Sequence, residues 1–427
     1  MESCHTINGY KVVFVPVKSN IIYIQSFILS GYMNENRKNL GISHLLEHIL
    51  TESWTKCNNN CAQYWGKKGI ITNAFTSDTI INYYGKGLHQ HRKEILEYIV
   101  SITTKPKIHT ERISVEKKAV KEELDSEMND PAWKIGFELN KFYYNCYVGL
   151  KNVQNFPLQI KNLEHFGKKE LENYCNEIYT PANILFVIAG KFNEEDCISD
   201  LESLLPKKTC KGSTNMIVNL SKSIESECKL LFIPNEYSKT NEIIVSFFSP
   251  NIYPWNKEYA LFQIITDILS DGMNSLFMDR LRSQLQLIYT IQVNIVSNVT
   301  GTMTTIKTTG DNTQEIIQEI YHVLEDFLKG NWDDGQIERA KNIYMINEDS
   351  NCKHTTFWGD FYGFQYINQL YRKSPKIYKY SEITKIIHNA TKQDIIDVAK
   401  KIFFTPKSLI IYQGQMKIEP IEIFINT

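Results

Sequence analysis

Between Leu40 and Leu50 the apolar residues Ile42, Leu45, Leu46, Ile49 and Leu50 recur at helical spacing, which predicts a buried amphipathic helix. A second helix is predicted from Glu111 to Met128. Here Glu116, Ala119, Val120 and Glu123 fall at i, i+3, i+4 and i+7, a single stripe that is apolar in the middle and acidic at both ends. Shorter apolar runs, such as Ile21–Leu29 and Ile184–Ala189, have strand length. The runs Ile70–Phe75 and Ile80–Tyr84, joined through Ser77 and Asp78, read as an antiparallel hairpin. Strands of this kind among long helices predict an α+β class, with mostly antiparallel sheets and helices packed on them.

The pattern occurs twice. Lys11-Val-Val-Phe-Val-Pro16 is echoed by Lys229-Leu-Leu-Phe-Ile-Pro234, and Tyr179-Thr-Pro181 with the strand Ile184–Ile188 is echoed by Phe404-Thr-Pro406 with Leu409–Tyr412. The two offsets are nearly equal, which implies one duplicated domain. The turn-rich, basic stretch Pro206–Thr214 reads as a linker, so the expected domains are 1–214 and 215–427. A chain of 427 residues suits two cores better than one.

Charge then narrows the partners. Lys plus Arg number 47 against 48 Asp plus Glu, a balance that favours neither nucleic acid nor an anionic membrane. No apolar run approaches bilayer length, and Met1–Thr6 has neither secretory nor transit character, so a cytoplasmic location is expected. Nine cysteines without framework spacing suit reduced thiols. Cys57 and Cys61 are the only close pair, and no further Cys or His accompanies them as metal ligands.

Candidate chemistry lies on the two predicted helices. His44 and His48, four apart, stand one above the other, and Glu47 reaches the same side. This is the H-x-x-E-H arrangement of the inverzincins. Two imidazoles and one carboxylate suit zinc and leave a position open for water. Buried histidines on a helix are commonly structural, and the second helix is what argues otherwise. A carboxylate on its core-facing stripe needs a partner, which selects Glu123 over Glu122 as third ligand and places Glu116 behind the ligands. His89 and His91, two apart, diverge and read as surface residues.

With both helices in view, the chain resembles the pitrilysin/insulinase family, in its two-domain branch with the mitochondrial processing peptidases and their bacterial relatives. The resemblance rests on His44-Leu-Leu-Glu-His48, on Glu116 and Glu123, on Asn73-Ala-Phe-Thr76, on Tyr179-Thr-Pro-Ala-Asn183, and on Arg282 with Tyr289 in the second half. Where the family carries Gly two or three positions before that Tyr, this chain has Gln286-Leu287-Ile288. Ala260–Ser270 lacks histidine, implying one metal site per chain.

That resemblance implies a zinc endopeptidase acting on short or unstructured peptides. Glu47 would be the general base, Arg282 and Tyr289 would stabilise the oxyanion, and Glu116 would support the site. Asn73, Ala74 and Phe75 would lie on an edge strand that pairs with the peptide. In the family the Arg and Tyr reach the zinc from a different half-molecule, which here implies a homodimer, or a heterodimer with a related subunit that trims leader peptides. Arg282 at a helix end and Tyr289 in a core remain the plain structural alternative. A further alternative is a non-catalytic assembly subunit; such relatives typically lose metal ligands.

Overall fold

Strand β2 (Tyr10–Pro16) and strand β6 (Ile184–Gly190) are buried over nearly their whole length, so neither face of their pairing sees water. They lie parallel, Lys11 beside Leu185 and Pro16 beside Gly190. Such continuous apolar strands need cover on both faces of the sheet. Around them β1 (Ser3–Ile7), β3 (Ile21–Ile28), β4 (Ile71–Thr76) and β5 (Ile81–Leu88) complete a six-stranded sheet in the order β1-β2-β6-β3-β5-β4. All its other pairings are antiparallel. The computed structural model describes residues 2–57, 60–143, 155–207, 227–372, 376–404 and 407–415.

The second sheet repeats this plan. Strands β7 (Glu227–Pro234), β8 (Asn241–Ser249), β9 (Ile291–Asn298), β10 (Gly301–Gly310) and β11 (Lys407–Gly414) lie in the order β7-β11-β8-β10-β9. Replacing each strand by its counterpart in the first half reproduces β2-β6-β3-β5-β4. Even the register is kept: β7 and β11 are parallel, with Lys229 beside Leu409 and Pro234 beside Gly414. The echoed sequences therefore occupy equivalent strands, and the class is α+β with two similar halves. Thr405 and Pro406, and residues 208–214 of the expected linker, lie outside the described residues.

The chain forms two compact units, and neither is one continuous stretch. The first comprises 1–137, 150–217 and 351–377; the second comprises 138–149, 218–350 and 378–427. In the first unit the helix Thr355–Arg372 lies on the face formed by β2, β6 and β3. It can approach because Gly359 and Gly363 face the sheet: a Cβ on Gly359 would stand 2.7 Å from the Tyr23 ring, and one on Gly363 would stand 2.8 Å from the Phe27 ring. Tyr371 anchors its end, donating to the Thr79 carbonyl at 2.6 Å. In the second unit Tyr143 donates to Ser246 Oγ at 3.0 Å and stacks on Phe248.

The cysteines depart from the expectation of reduced thiols at one place. Cys57 and Cys61 are joined as a disulfide, whereas Cys4, Cys175 and Cys197 are free. Trp54, three residues before Cys57, stacks on Trp65, four residues after Cys61. Among the described residues no helix is long and apolar enough to cross a membrane.

Candidate metal centre

The helix Ile42–Thr51, here the His helix, links β3 to β4 and is buried on most of its surface. Its start is made by a residue that sequence reading passed over. Glu35 accepts the Gly41 N–H at 2.7 Å and the Ser43 N–H at 2.8 Å, satisfying donors that the first helical turn leaves open. Gly41, with φ of 94°, takes the left-handed conformation that glycine adopts freely. Burial pushes the Glu35 carboxyl up to about 7, against the opposing pull of those hydrogen bonds.

The helix Thr110–Asn129, here the Glu helix, packs beside the His helix. Of its acid-tipped stripe, Glu116 and Val120 are buried and Ala119 is half-buried, whereas the Glu123 side chain is 44% exposed, at the mouth of the site and not inside the core. Glu123 Oε1 lies 3.6 Å from His44 Nε2, and Glu123 Oε2 lies 3.3 Å from His48 Nε2. One ligand atom from each of the three residues falls within 4.8 Å of the others, and this is the group of three that could hold a metal ion among the described residues. Ligands about 2.1 Å from a tetrahedral zinc stand about 3.4 Å apart, so the observed separations fit such an ion. Buried His44 Nδ1 has no partner among the described residues, so nothing else claims that ring.

The surrounding charge favours a cation. Burial opposes a charged His48, but hydrogen bonds to Glu116 and Glu123 and the field of Glu47 outweigh it and hold the imidazole up to about 9. Hydrogen bonds from His44 and His48 hold Glu123 well below the usual carboxylate range. Glu116 stands behind the three, with Oε2 3.5 Å from His48 Nδ1 and Oε1 paired with Arg112. A carboxylate there orients the ring and leaves Nε2 to face Glu123. Arg112 was not singled out by sequence, although its place one turn before Glu116 was a usable sign.

Glu47 is 8% exposed, and burial raises its carboxyl above its ordinary value despite the two histidines. It is positioned by Thr76, which donates to Oε2 at 2.9 Å. Thr76 ends β4, the edge strand of the first sheet. Asn73, Ala74 and Phe75 lie on the same strand, and Asn73 Oδ1 accepts the Ala74 N–H at 2.9 Å. Between β4 and the two helices lies a cleft of about 850 Å³, lined by the ligand residues, Glu47 and the aromatic rings of Trp65, Trp133 and Phe137.

The remaining candidates fall elsewhere. Glu122 is exposed and reaches Lys118 at 3.6 Å, while His89 and His91 sit in a turn without buried residues. Arg282 and Tyr289 form a pair of their own in the second unit. The guanidinium donates to the Tyr289 carbonyl at 3.0 Å and lies over its ring, which is 73% exposed, so Tyr289 is not a core residue. Gln286, in the stretch Gln286-Leu287-Ile288 that replaces the Gly of the resemblance, has φ of 56°. The helix Lys257–Ser270, placed between β8 and β9 as the His helix is between β3 and β4, carries no histidine.

Fold and site define the class: two similar α+β halves, the first presenting two histidines and a carboxylate to one point beside an acid. Comparison with known proteins agrees. Residues 18–136 match the insulinase (peptidase family M16) description, and residues 165–344 match the peptidase M16 inactive domain. The chain belongs to peptidase family M16. It is 23% identical over 396 residues to an uncharacterized zinc protease of Rickettsia felis, covering 90% of this chain and 91% of that one. To the beta subunit of the mitochondrial-processing peptidase of Dictyostelium discoideum it is 21% identical, over 46% of this chain and 41% of that one. Among solved structures, a protease from Helicobacter pylori superimposes with a TM-score of 0.79 at 17% identity, covering 97% of this chain and 99% of that one. The peptidase M16 inactive domain of Pseudomonas fluorescens gives 0.76 at 14%, covering 99% and 100%.

Proposed function

We propose that this chain is a zinc-dependent endopeptidase that hydrolyses short or unstructured peptides. The observation that carries this reading is the convergence of His44, His48 and Glu123 on one point, with Glu47 buried beside it and the edge strand β4 along the same cleft. Relatives named zinc proteases support it.

His44, His48 and Glu123 would hold one zinc per chain. When bound, the ion supplies a Lewis acid that acidifies a water and polarises a carbonyl. Glu47 takes the proton of the attacking water and returns it to the leaving amine, a task suited to a carboxyl whose burial has already raised its proton affinity. The main chain of Asn73, Ala74 and Phe75 accepts the peptide as an added strand, which binds with little demand on side chains. Glu116 and Arg112 keep the His48 ring in place.

Arg282 and Tyr289 act on the developing oxyanion of a second copy of this chain or of a related subunit. Exposure of Tyr289, with Arg282 held against it, supports a surface pair that acts outward. The relative described as a beta subunit makes a paired assembly a natural form.

The test is metal analysis of the purified chain together with turnover of a fluorogenic peptide by Glu47→Gln. Stoichiometric zinc retained with hydrolysis lost is the expected result. Turnover that survives in the variant would refute the mechanism. Chains with Glu47→Gln, mixed with chains carrying Tyr289→Phe, should regain partial activity if the sites are shared between copies.

A further inference from the structure

The bridge between Cys57 and Cys61 lies on the connection from the His helix to strand β4, the two elements that the proposed reaction needs. Both cysteines are buried, and Cys61 lines the cleft of the metal centre. It also opens the helix Cys61–Gly66, whose far end leads into β4. Each end of this connection is fastened. Glu52, the residue after the His helix, accepts the Cys61 N–H at 2.9 Å. The Trp65 carbonyl accepts the N–H of Ile70, the residue before β4, at 3.1 Å. The Trp54 and Trp65 rings lie face to face, with centroids 5.1 Å apart and planes 5° apart. From Trp54 through Cys57 and Cys61 to Trp65, a closed circuit of contacts thus ties the end of the His helix to the start of β4.

Strand β4 depends on such support. It is an edge strand, paired in the sheet with β5, and it packs on the His helix and on the helix Cys61–Gly66. Thr76 secures its last residue through Glu47, and the bridge stands behind its first. Opening the bridge must disturb these contacts. Bonded sulfurs lie about 2 Å apart and non-bonded heavy atoms roughly 3.5–4 Å, so two thiols in the same buried space need about 1.5 Å more. Close-packed surroundings, here the paired indoles, pass such a displacement on. The Cα atoms of the two cysteines are 4.7 Å apart, so opened thiols stay near enough to pair again.

We propose that Cys57 and Cys61 form a redox switch for peptide binding: the disulfide holds β4 ready to receive a peptide, and the dithiol lets the strand shift and weakens binding. The inference rests on the peptide-binding reading of β4. The reductant is glutathione, which reaches Cys61 from the cleft. Its thiolate attacks one sulfur of the bridge, forming a mixed disulfide and releasing the other cysteine as a thiolate, which takes up a proton. A second glutathione thiolate then attacks the glutathione sulfur of the mixed disulfide, which releases the remaining cysteine and glutathione disulfide. Two electrons and two protons pass to the protein. Glutathione disulfide restores the bridge by the reverse exchange.

The experiment measures the state of the pair and the binding together. Full-length Glu47→Gln protein is equilibrated in glutathione buffers that run from reducing to oxidising. Mass spectrometry after acid quenching and alkylation gives the fraction bridged, anisotropy of a fluorescein-labelled ten-residue peptide gives the affinity, and hydrogen exchange follows the β4 amides. Reduction should weaken binding at least fivefold and speed exchange along β4, and both changes should reverse as the bridge forms again. With Cys57→Ser and Cys61→Ser added, the chain should bind weakly in every buffer, which separates this pair from the other cysteines. The first comparison uses a single polypeptide, so a serine variant that fails to fold leaves it decisive. Affinity that stays constant while the pair changes state overturns the switch, and so does a pair that stays bridged, or stays open, in every buffer. Wild-type protein that cleaves a fluorogenic peptide equally in both states removes the switch and leaves the peptidase reading. A chain that neither binds nor cleaves peptide in either state overturns that reading, and the switch with it.

Discussion

Thr76 donates its hydroxyl to Oε2 of Glu47 at 2.9 Å, so the last residue of the edge strand is tied directly to the acid on the His helix. The strand proposed to bind peptide and the group proposed to activate water are thereby held in one geometry. The bond also lowers the Glu47 carboxyl against the larger effect of burial, which raises it. In Thr76→Val the carboxyl should rise further, and since the base must be ionised, the acid limb of the kcat/KM profile should move to higher pH. Loss of a hydrogen bond to a charged group, about 1.5 kcal/mol, corresponds to about a tenfold fall on that limb. An unmoved limb would show that Thr76 does not tune Glu47.

Glu122 and Glu123 are neighbours with opposite surroundings. Glu123 faces both histidines, whereas among the described residues Glu122 has only an exposed contact with Lys118, of a kind worth little. Glu123→Gln should therefore purify with nearly no zinc, and Glu122→Gln should keep the wild-type content. Atomic absorption after dialysis against a weak chelator distinguishes them, and equal losses would refute the assignment of the third ligand.

Gln286 holds a left-handed backbone between Arg282 and Tyr289, with φ of 56°. A side chain there costs about 1 kcal/mol, and a β-branched one costs more. Gln286→Val should lower the free energy of unfolding by about 1–2 kcal/mol, while Gln286→Gly should be neutral or slightly stabilising, because relief of strain outweighs its greater unfolded-state freedom. Urea titration of both variants is the measurement. Equal destabilisation by Val and Gly would remove the backbone explanation.

Asp267, on the helix Lys257–Ser270, is pushed up from 3.8 to about 7 by burial and by Asp271, with Arg339 only partly compensating. The folded state thus holds this proton more tightly than the unfolded chain. Its contribution to stability is fully present below about 3.8 and is lost as pH rises through about 7. Asp267→Asn should consequently stabilise the chain above neutrality, by about 1 kcal/mol or more, and bring no such gain in acid. Melting temperatures across that pH range check it, and a gain independent of pH would exclude titration as its cause.

The contrast between local and distant information accounts for what was legible. His44, Glu47 and His48 could be placed together because helix geometry alone relates residues three and four apart. The same periodicity separated Glu123 from Glu122, since a charged end on an apolar stripe must find a partner wherever the helix packs. The repeated Lys–Pro strands carried their register with them, and the two sheets share it. Each of these readings needed only neighbours in sequence or a comparison of the chain with itself.

Glu35, Arg112 and Thr76 escaped because their roles depend on where another element comes to rest. Nothing local marks Glu35 as the partner of Gly41 and Ser43 rather than a surface acid, and an alternating strand does not say which face will meet Glu47. The helix Thr355–Arg372 is the extreme case: it joins the first unit from late in the chain, through glycines whose purpose is visible only against Tyr23 and Phe27. The sequence by itself determined the duplicated α+β plan and the residues able to meet a metal, because backbone periodicity and side-chain chemistry are local properties. Tertiary structure decided which carboxyls are buried, which are paired and which strand is left at the edge, because burial and charge compensation arise only when distant segments exclude water from one another.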